Sequence, residues 1–125
     1  DRLTSTANSP IETFSALALP EITALAFRST LFVGNDSGIA HIASAVGCPS
    51  VVIFGSSSRD HWRPWTDAPH RIVFEPFDCQ PCSGYRCEKF DSPRCIESVQ
   101  IASVISSITE LIRESDSNVA TPNPK

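Results

Sequence analysis

The chain contains no methionine, opens on Asp1, and shows no early basic residues followed by an apolar run. No secretory leader is legible, and a chain with no initiator residue is read as cut out of something longer. Every long uncharged stretch is broken by Ser, Gly, Thr or Pro, so none reads as a membrane span. Positive charge is scarce: 10 Lys plus Arg stand against 14 Asp plus Glu, for a net charge of -4. A broad basic surface for nucleic acid is thereby excluded, and no nucleic-acid partner is expected. The only lysines are Lys89 and Lys125, and neither closes a Gly-x4-Gly-Lys phosphate loop. The nucleophile elbow Gly-x-Ser-x-Gly is missing too: Gly55-Ser56-Ser57-Ser58-Arg59 lacks its final Gly, and Gly34 to Gly38 carries Asp36 at the centre. No internal repeat occurs. With 41% hydrophobic and 19% charged residues over 125 positions, the chain suits one folded domain with one core.

The apolar pattern gives an order of elements. Asp1 to Pro10 is polar and aperiodic, and Ile11 to Leu19 is a strand or a connector. Pro20 suits the first residue of a helix, where its missing N–H would be unpaired anyway. Ile22, Leu25 and Ala26 then give Pro20 to Ser29 one apolar face. Leu31 to Gly34 reads as a strand running into the turn Asn35-Asp36-Ser37-Gly38. Ile39 to Val46 is a second helix, stopped by Gly47 and Pro49. Val51 to Phe54 is an unalternated apolar run, the mark of a strand covered on both faces. A loop from Ser56 to His70 follows, then a third strand over Arg71 to Glu75. The segment from Cys79 to Cys95 has no period. Val99, Ala102, Ile105, Ile108, Leu111 and Ile112 recur at helical spacing, with Ser98 as the expected N-cap. Residues 1–114 are expected to form the domain, and residues 115–125 a flexible tail. This order predicts an α/β layer with a mostly parallel sheet and flanking helices.

The strongest chemical constellation is Asn35-Asp36-Ser37-Gly38-Ile39-Ala40-His41, where a buried strand meets a helix. Ligands of open parallel sheets gather at the carboxyl ends of the strands. A helix start offers unpaired N–H groups and partial positive charge, which suits phosphate. Gly38 lets backbone approach a ligand, and Ser37 adds a hydroxyl. Asp36 fits better against hydroxyl groups such as those of a sugar. The alternative is purely structural, with Asp or Ser capping the helix and Gly serving the turn. A hydrolase triad of Asp36, Ser37 and His41 is excluded because triad members converge from separate segments.

The pattern Asp36-Ser37-Gly38-x-x-His41-x-Ala43-x-Ala45-x-Gly47-x-Pro49, followed by an apolar strand ending Phe54-Gly55, resembles glycosyltransferase family 9. Ser57 and Ser58, Trp62-Arg63-Pro64-Trp65 and the cysteine segment extend the resemblance from about Pro20 to Ile112. One departure is Ser56, where many members have Pro. The family's best-known members are ADP-heptose:lipopolysaccharide heptosyltransferases. The resemblance implies the C-terminal half of a GT-B fold, whose Rossmann-like domain holds a nucleotide-sugar donor. Ser37, Gly38 and Ile39 would then meet the donor diphosphate, Asp36 the sugar hydroxyls, and His41 the phosphates or the loop. The implied donor is an ADP-sugar such as ADP-heptose, and the implied acceptor a lipopolysaccharide-type molecule held by an N-terminal domain. The family's acidic base and its phosphate-facing Lys have no counterpart here. No catalytic residue is therefore assigned, and the chain alone is expected to transfer no sugar. The lack of an Asp-x-Asp motif agrees with a metal-free GT-B site, so no cofactor is expected. The resemblance also implies a bacterial cytoplasmic location, peripheral at the inner membrane. A sheet lacking strands would expose an apolar edge, from which self-association is expected.

Cys79, Cys82, Cys87 and Cys95 are spaced C-x2-C-x4-C-x7-C. Four thiolates could hold one tetrahedral zinc, and the rival function is a zinc-stabilised, non-catalytic binding module. Disulfides and free thiols are the alternatives. Cys48 reads as buried packing. Of Trp62 and Trp65, one is expected to cover the sheet edge with its N–H bonded to backbone, while the other, or Arg63, could rim the donor cleft. His61 and His70 read as surface residues, and Asp60, Asp67, Asp78 and Asp91 as solvated loop charges. The helix around Ile101 to Ile112 lacks the Lys and Arg of a membrane-surface helix, so its stripe is assigned to the core.

Overall fold

A computed structural model describes residues 5, 7–82 and 86–119. Helix α1 spans Leu19–Arg28. Pro20 sits at its second position rather than its first, and the Glu21 carboxylate accepts a hydrogen bond from the Ala18 N–H at 2.8 Å. That bond satisfies a donor the helix itself cannot use. Strand β1, Phe32–Asn35, leads into α2, Gly38–Ala45. Gly47 closes α2 at φ 72°, a left-handed conformation that favours glycine. The Cys48 N–H reaches the Ala43 carbonyl at 2.9 Å, and the Gly47 N–H reaches Ser44 at 3.1 Å. Together these form a Schellman closure, which turns the chain sharply into β2, Ser50–Ile53.

Between β2 and β3, His70–Val73, lies the short helix α3, Arg59–Trp62. A further short helix, α4, spans Arg94–Glu97, and α5 spans Ile101–Val119. Neither short helix is visible as a periodic pattern, because four residues are too few to show one. Ser98 is not the N-cap of α5: it ends α4, donating its N–H to Arg94 at 2.8 Å, and α5 begins three residues later. Nor does the helix stop at Glu114. It continues through Ser115, whose hydroxyl donates to the Leu111 carbonyl at 2.9 Å. The remainder of the expected tail, residues 120–125, lies outside the described residues, as do residues 1–4.

The three strands form one parallel sheet in the order β1-β2-β3, with Phe32 opposite Ser50 and Ser50 opposite His70. This is the α/β, Rossmann-like layer expected from the sequence. As the middle strand, β2 is covered on both faces. Val52 and Phe54 pack with Ala40 of α2, while Val51 packs with Val73 and with Leu111 of α5. Val51, Phe54 and Leu111 are almost wholly buried. Burying side chains of this size contributes about 1.5–3 kcal/mol each before entropy is counted. Behind α2, Ala26 and Ala43 close on Cys48, whose thiol lies within weak hydrogen-bond reach of the Ser29 and Pro49 carbonyls. Cys48 is thus the packing residue it was read to be.

The apolar stripe of α5 divides. Val104, Ile108 and Leu111 face the sheet, whereas Ile101, Ile105 and Ile112 are exposed, Ile101 to 80%. The assignment of the whole stripe to the core therefore holds for one half of it. Arg71 of β3 pairs with Glu110 and Glu114 along α5, a surface contact worth little in water. Among the described residues, no helix is long and apolar enough to cross a membrane.

Candidate functional site

Parallel strands place all their carboxyl ends on one side. Here the Asp36 N–H donates to the Ile53 carbonyl at 3.0 Å, and the Phe54 N–H to Val73 at 2.9 Å. The ladder thus extends one residue past β1 and fixes the backbone of Asp36. At this side an open cleft of about 250 Å³ is lined by Asn35, Asp36, Gly55, Ser56, Ser57 and Ile96, among others. The Ser57 hydroxyl donates to Oδ2 of Asp36 at 2.5 Å. A bond to an ionised acceptor is stronger than a neutral one, so the carboxylate is held in one orientation. Among the described residues, its second oxygen has no hydrogen-bond partner.

Ser37 stands at the N-cap position of α2 with extended backbone, φ −161° and ψ 169°. Its carbonyl accepts from Ala40 at 3.0 Å and from His41 at 3.4 Å, but its hydroxyl makes no capping bond. The purely structural reading of Ser37 required that bond. The Gly38 and Ile39 N–H groups have no backbone acceptor among the described residues, as expected for a first helical turn. A Cβ added at Gly38 would meet no atom within 4 Å. No crowding within this chain requires glycine there. Gly55 differs: its added Cβ would lie 3.3 Å from Cβ of Ile96, so glycine there admits the close approach of α4.

Asp36 thus lines the cleft, with Ser37, Gly38 and Ile39 next to it at the exposed start of α2. His41 stands further along the same helix. Its ring meets that of Trp62 edge-on, with centroids 5.9 Å apart. The expectation that one tryptophan covers the sheet edge is not met, because Trp62 is half exposed and Trp65 is 98% exposed. Trp65 lines a second, larger cleft of about 450 Å³ with His61, Arg63 and His70. His70 pairs with Ser50 at the amino ends of the strands, and the two clefts share no lining residue. Neither Arg63 nor Trp65 therefore rims the cleft at Asp36. His61 is exposed, while His70 is half-buried with Nδ1 3.1 Å from the Ala68 carbonyl. Asp60, Asp67, Asp78 and Asp91 are all exposed, as read.

Two partners of the site were missed in the sequence. Ser57 falls in the loop from Ser56 to His70, and nothing local marks it as the residue that reaches Asp36. Gln80 was not singled out at all. Its Nε2 donates to the Gly55 carbonyl at 2.7 Å, and its Oε1 accepts from the Phe77 N–H at 3.0 Å and from Arg59 at 3.5 Å. The Cys82 N–H adds a bond to the Ser56 carbonyl at 2.7 Å. The cysteine segment is therefore fastened to the loop that carries Ser57.

All five cysteines are free. Cys79, Cys82, Cys87 and Cys95 line one small cavity, yet among the described residues no group of three or more His, Cys, Asp or Glu is arranged to hold a metal ion. The zinc-stabilised module finds no support in this arrangement. Burial pushes the Cys48 thiol above its ordinary pKa, and burial with the neighbouring Cys79 does the same at Cys95.

A parallel sheet covered on both faces, with an oriented carboxylate and an open helix start at its carboxyl edge, defines an α/β Rossmann-like layer. Residues 3–90 match glycosyltransferase family 9 (heptosyltransferase), and the chain belongs to that family. It is 46% identical over 48 residues to lipopolysaccharide heptosyltransferase 3 of Escherichia coli strain K12, a match covering 38% of this chain and 14% of that protein. It is 30% identical over 81 residues to lipooligosaccharide heptosyltransferase 2 of Campylobacter jejuni, covering 65% of this chain and 25% of the relative. The matches thus span about a seventh to a quarter of those relatives. The family match ends at residue 90, short of α5, whereas the motif resemblance was read as far as Ile112. No solved structure matches the chain.

Proposed function

We propose that this chain is the donor-binding part of a GT-B glycosyltransferase that moves a heptose or similar sugar from an ADP-sugar to a lipopolysaccharide-core acceptor. The observation that carries the reading is the juxtaposition of Asp36, oriented by Ser57, with a helix start whose Ser37 hydroxyl makes no capping bond and whose Gly38 faces open space among the described residues. The N–H groups of Gly38 and Ile39, with the Ser37 hydroxyl, suit a diphosphate. The free oxygen of Asp36 suits a sugar hydroxyl. As the glycosidic bond breaks, negative charge develops on the leaving diphosphate. Preoriented N–H donors and a helix dipole stabilise that charge without a metal ion. Names of relatives that act on lipopolysaccharide and lipooligosaccharide support the acceptor class. Such an acceptor implies work at the cytoplasmic face of a bacterial inner membrane. The acceptor site and the catalytic base would lie in a second domain, so this chain alone transfers no sugar. His41, whose ring meets that of Trp62 edge-on, supports the loop beside the diphosphate.

The test is a titration of the isotopically labelled chain with ADP, UDP and inorganic phosphate, following the amides of Ser37, Gly38 and Ile39. Saturable shifts centred there, larger for ADP than for UDP, are expected at up to millimolar ligand, a range in which weak binding still registers. A folded spectrum unmoved by all three would overturn the reading.

A further inference from the structure

The thiol cluster is the feature of this chain that the proposed function leaves unused. Cys79, Cys82, Cys87 and Cys95 line a cavity of about 120 Å³ together with Arg86. All four thiols are half-buried and free, and no carboxylate lines the cavity among the described residues. Partly exposed thiols are open to oxidants, and Arg86 adds a cationic side chain to the cavity lining. The cavity also adjoins the cleft at Asp36, since Ser56, Pro93 and Cys95 line both.

We propose that Cys79 and Cys95 form a reversible, peroxide-sensitive disulfide that resets the edge of the Asp36 cleft. The thiolate of Cys79 attacks one oxygen of the peroxide. The O–O bond breaks, hydroxide leaves and takes up a proton as water, and Cys79 becomes a sulfenic acid. The Cys95 sulfur then attacks the Cys79 sulfur. The S–O bond breaks, the S–S bond forms, and the Cys95 proton leaves with the departing oxygen as a second water. Both sulfurs are oxidised by one electron each, and the peroxide takes up the two electrons. The order follows from the surroundings. Burial, and then the neighbouring Cys79, push the Cys95 thiol up, so Cys95 suits the resolving role rather than the attacking one.

The consequence for the cleft follows from the bonds that already join the two regions. Gln80 holds the Gly55 carbonyl and Cys82 holds the Ser56 carbonyl, while Cys95 Sγ lies 3.9 Å from the position a Cβ would take on Gly55. Tying Cys79 to Cys95 moves groups on both sides of Gly55 and Ser56. This effect is independent of whether the cleft binds a nucleotide-sugar.

The experiment treats the reduced full chain with hydrogen peroxide, alkylates the remaining thiols and maps the peptides by mass spectrometry. Amide spectra are recorded before and after oxidation. The expected result is one intramolecular Cys79–Cys95 link, reversed by a dithiol reductant, with Cys48 still alkylated. Amides of Gly55, Ser56 and Ser57 shift, while those of α1 stay in place. C79S and C95S each abolish the link and the shifts. Full alkylation of Cys79 and Cys95 after peroxide would overturn the proposal, as would links only between chains. So would zinc that co-purifies and protects all four thiols from alkylation, which would make the cluster a metal site.

Discussion

Ser57 and Asp36 lie 21 residues apart in the chain and 2.5 Å apart in space, oxygen to oxygen. Their bond joins the end of β1 to the loop after β2, so one wall of the cleft is held by a side-chain contact as well as by the ladder. Removing the hydroxyl in Ser57→Ala should lower stability by about 1 kcal/mol, the usual net worth of such a bond when half-buried. It should also weaken nucleotide-sugar binding several-fold, because the carboxylate loses its fixed orientation. Urea denaturation with an unchanged slope, paired with a donor titration, reads both effects. Loss of stability with binding untouched would remove Asp36 from the site.

Gly38→Ala separates the structural role of the helix start from its binding role. Beyond its own helix turn the added methyl meets no described atom within 4 Å, and Ala is favoured over Gly in a helix by up to about 1 kcal/mol. The variant should melt at the same temperature as the parent or slightly above it. Phosphate and nucleotide should nonetheless bind at least several-fold more weakly, because the methyl occupies the approach to the N–H groups. Unchanged binding would show that no ligand comes close to this turn.

Two substitutions test how α5 sits on the sheet. Leu111→Ala empties a site that is 1% exposed between Val51 and Val73, and should cost about 2–5 kcal/mol. Ile101→Ser changes a residue that is 80% exposed, and should move stability by less than about 0.5 kcal/mol. Equal costs at the two positions would mean that the exposed side of α5 is covered in solution. Ultracentrifugation would then show self-association.

Ser50 is fully buried in the middle strand, and among the described residues its hydroxyl has no hydrogen-bond partner. An unpaired buried hydroxyl carries a desolvation penalty that alanine does not. Ser50→Ala should therefore raise stability, by about 1 kcal/mol, with no change at the cleft. A loss of stability would point to a partner for the hydroxyl.

Stability should fall in alkali. Burial lifts the Cys48 thiol, so the folded chain keeps this proton after the unfolded chain has released its own. The unfolded state then binds fewer protons, and stability declines as pH rises. The contribution is intact below about pH 8.5, the pKa of an unperturbed thiol, and is lost as pH climbs through the folded value. Cys95 adds in the same direction. Urea midpoints across this range should show a shallower decline in Cys48→Ala than in the parent chain.

The fold was legible wherever one short pattern decided an element. The unbroken run Val51 to Phe54 has the look of a strand covered on both faces, and Gly47 with Pro49 marks the end of α2. The site was legible in part for the same reason: Asp36 to Ile39 are consecutive, and a strand running into a helix places them together. What stayed hidden depends on residues distant in sequence. Ser57 is one of three consecutive serines, and only the approach of β1 to β2 selects it. Ser98 looked like a cap because serine precedes an apolar period, yet the four-residue α4 takes it as its own end. The outward half of the α5 stripe was misjudged because periodicity shows that a face exists, not how wide a surface is there to receive it.

Gln80 also constrains insertions and deletions. Surface loops usually absorb length changes freely. The segment from Phe74 to Cys82 has to deliver one amide to Gly55, Phe77 and Arg59 together, and then present the Cys82 N–H to Ser56. Its length is therefore set by a side chain rather than by the strand before it. Adding or removing one residue there should disturb the far wall of the cleft, whereas the same change in the polar stretch before α1 should pass unnoticed.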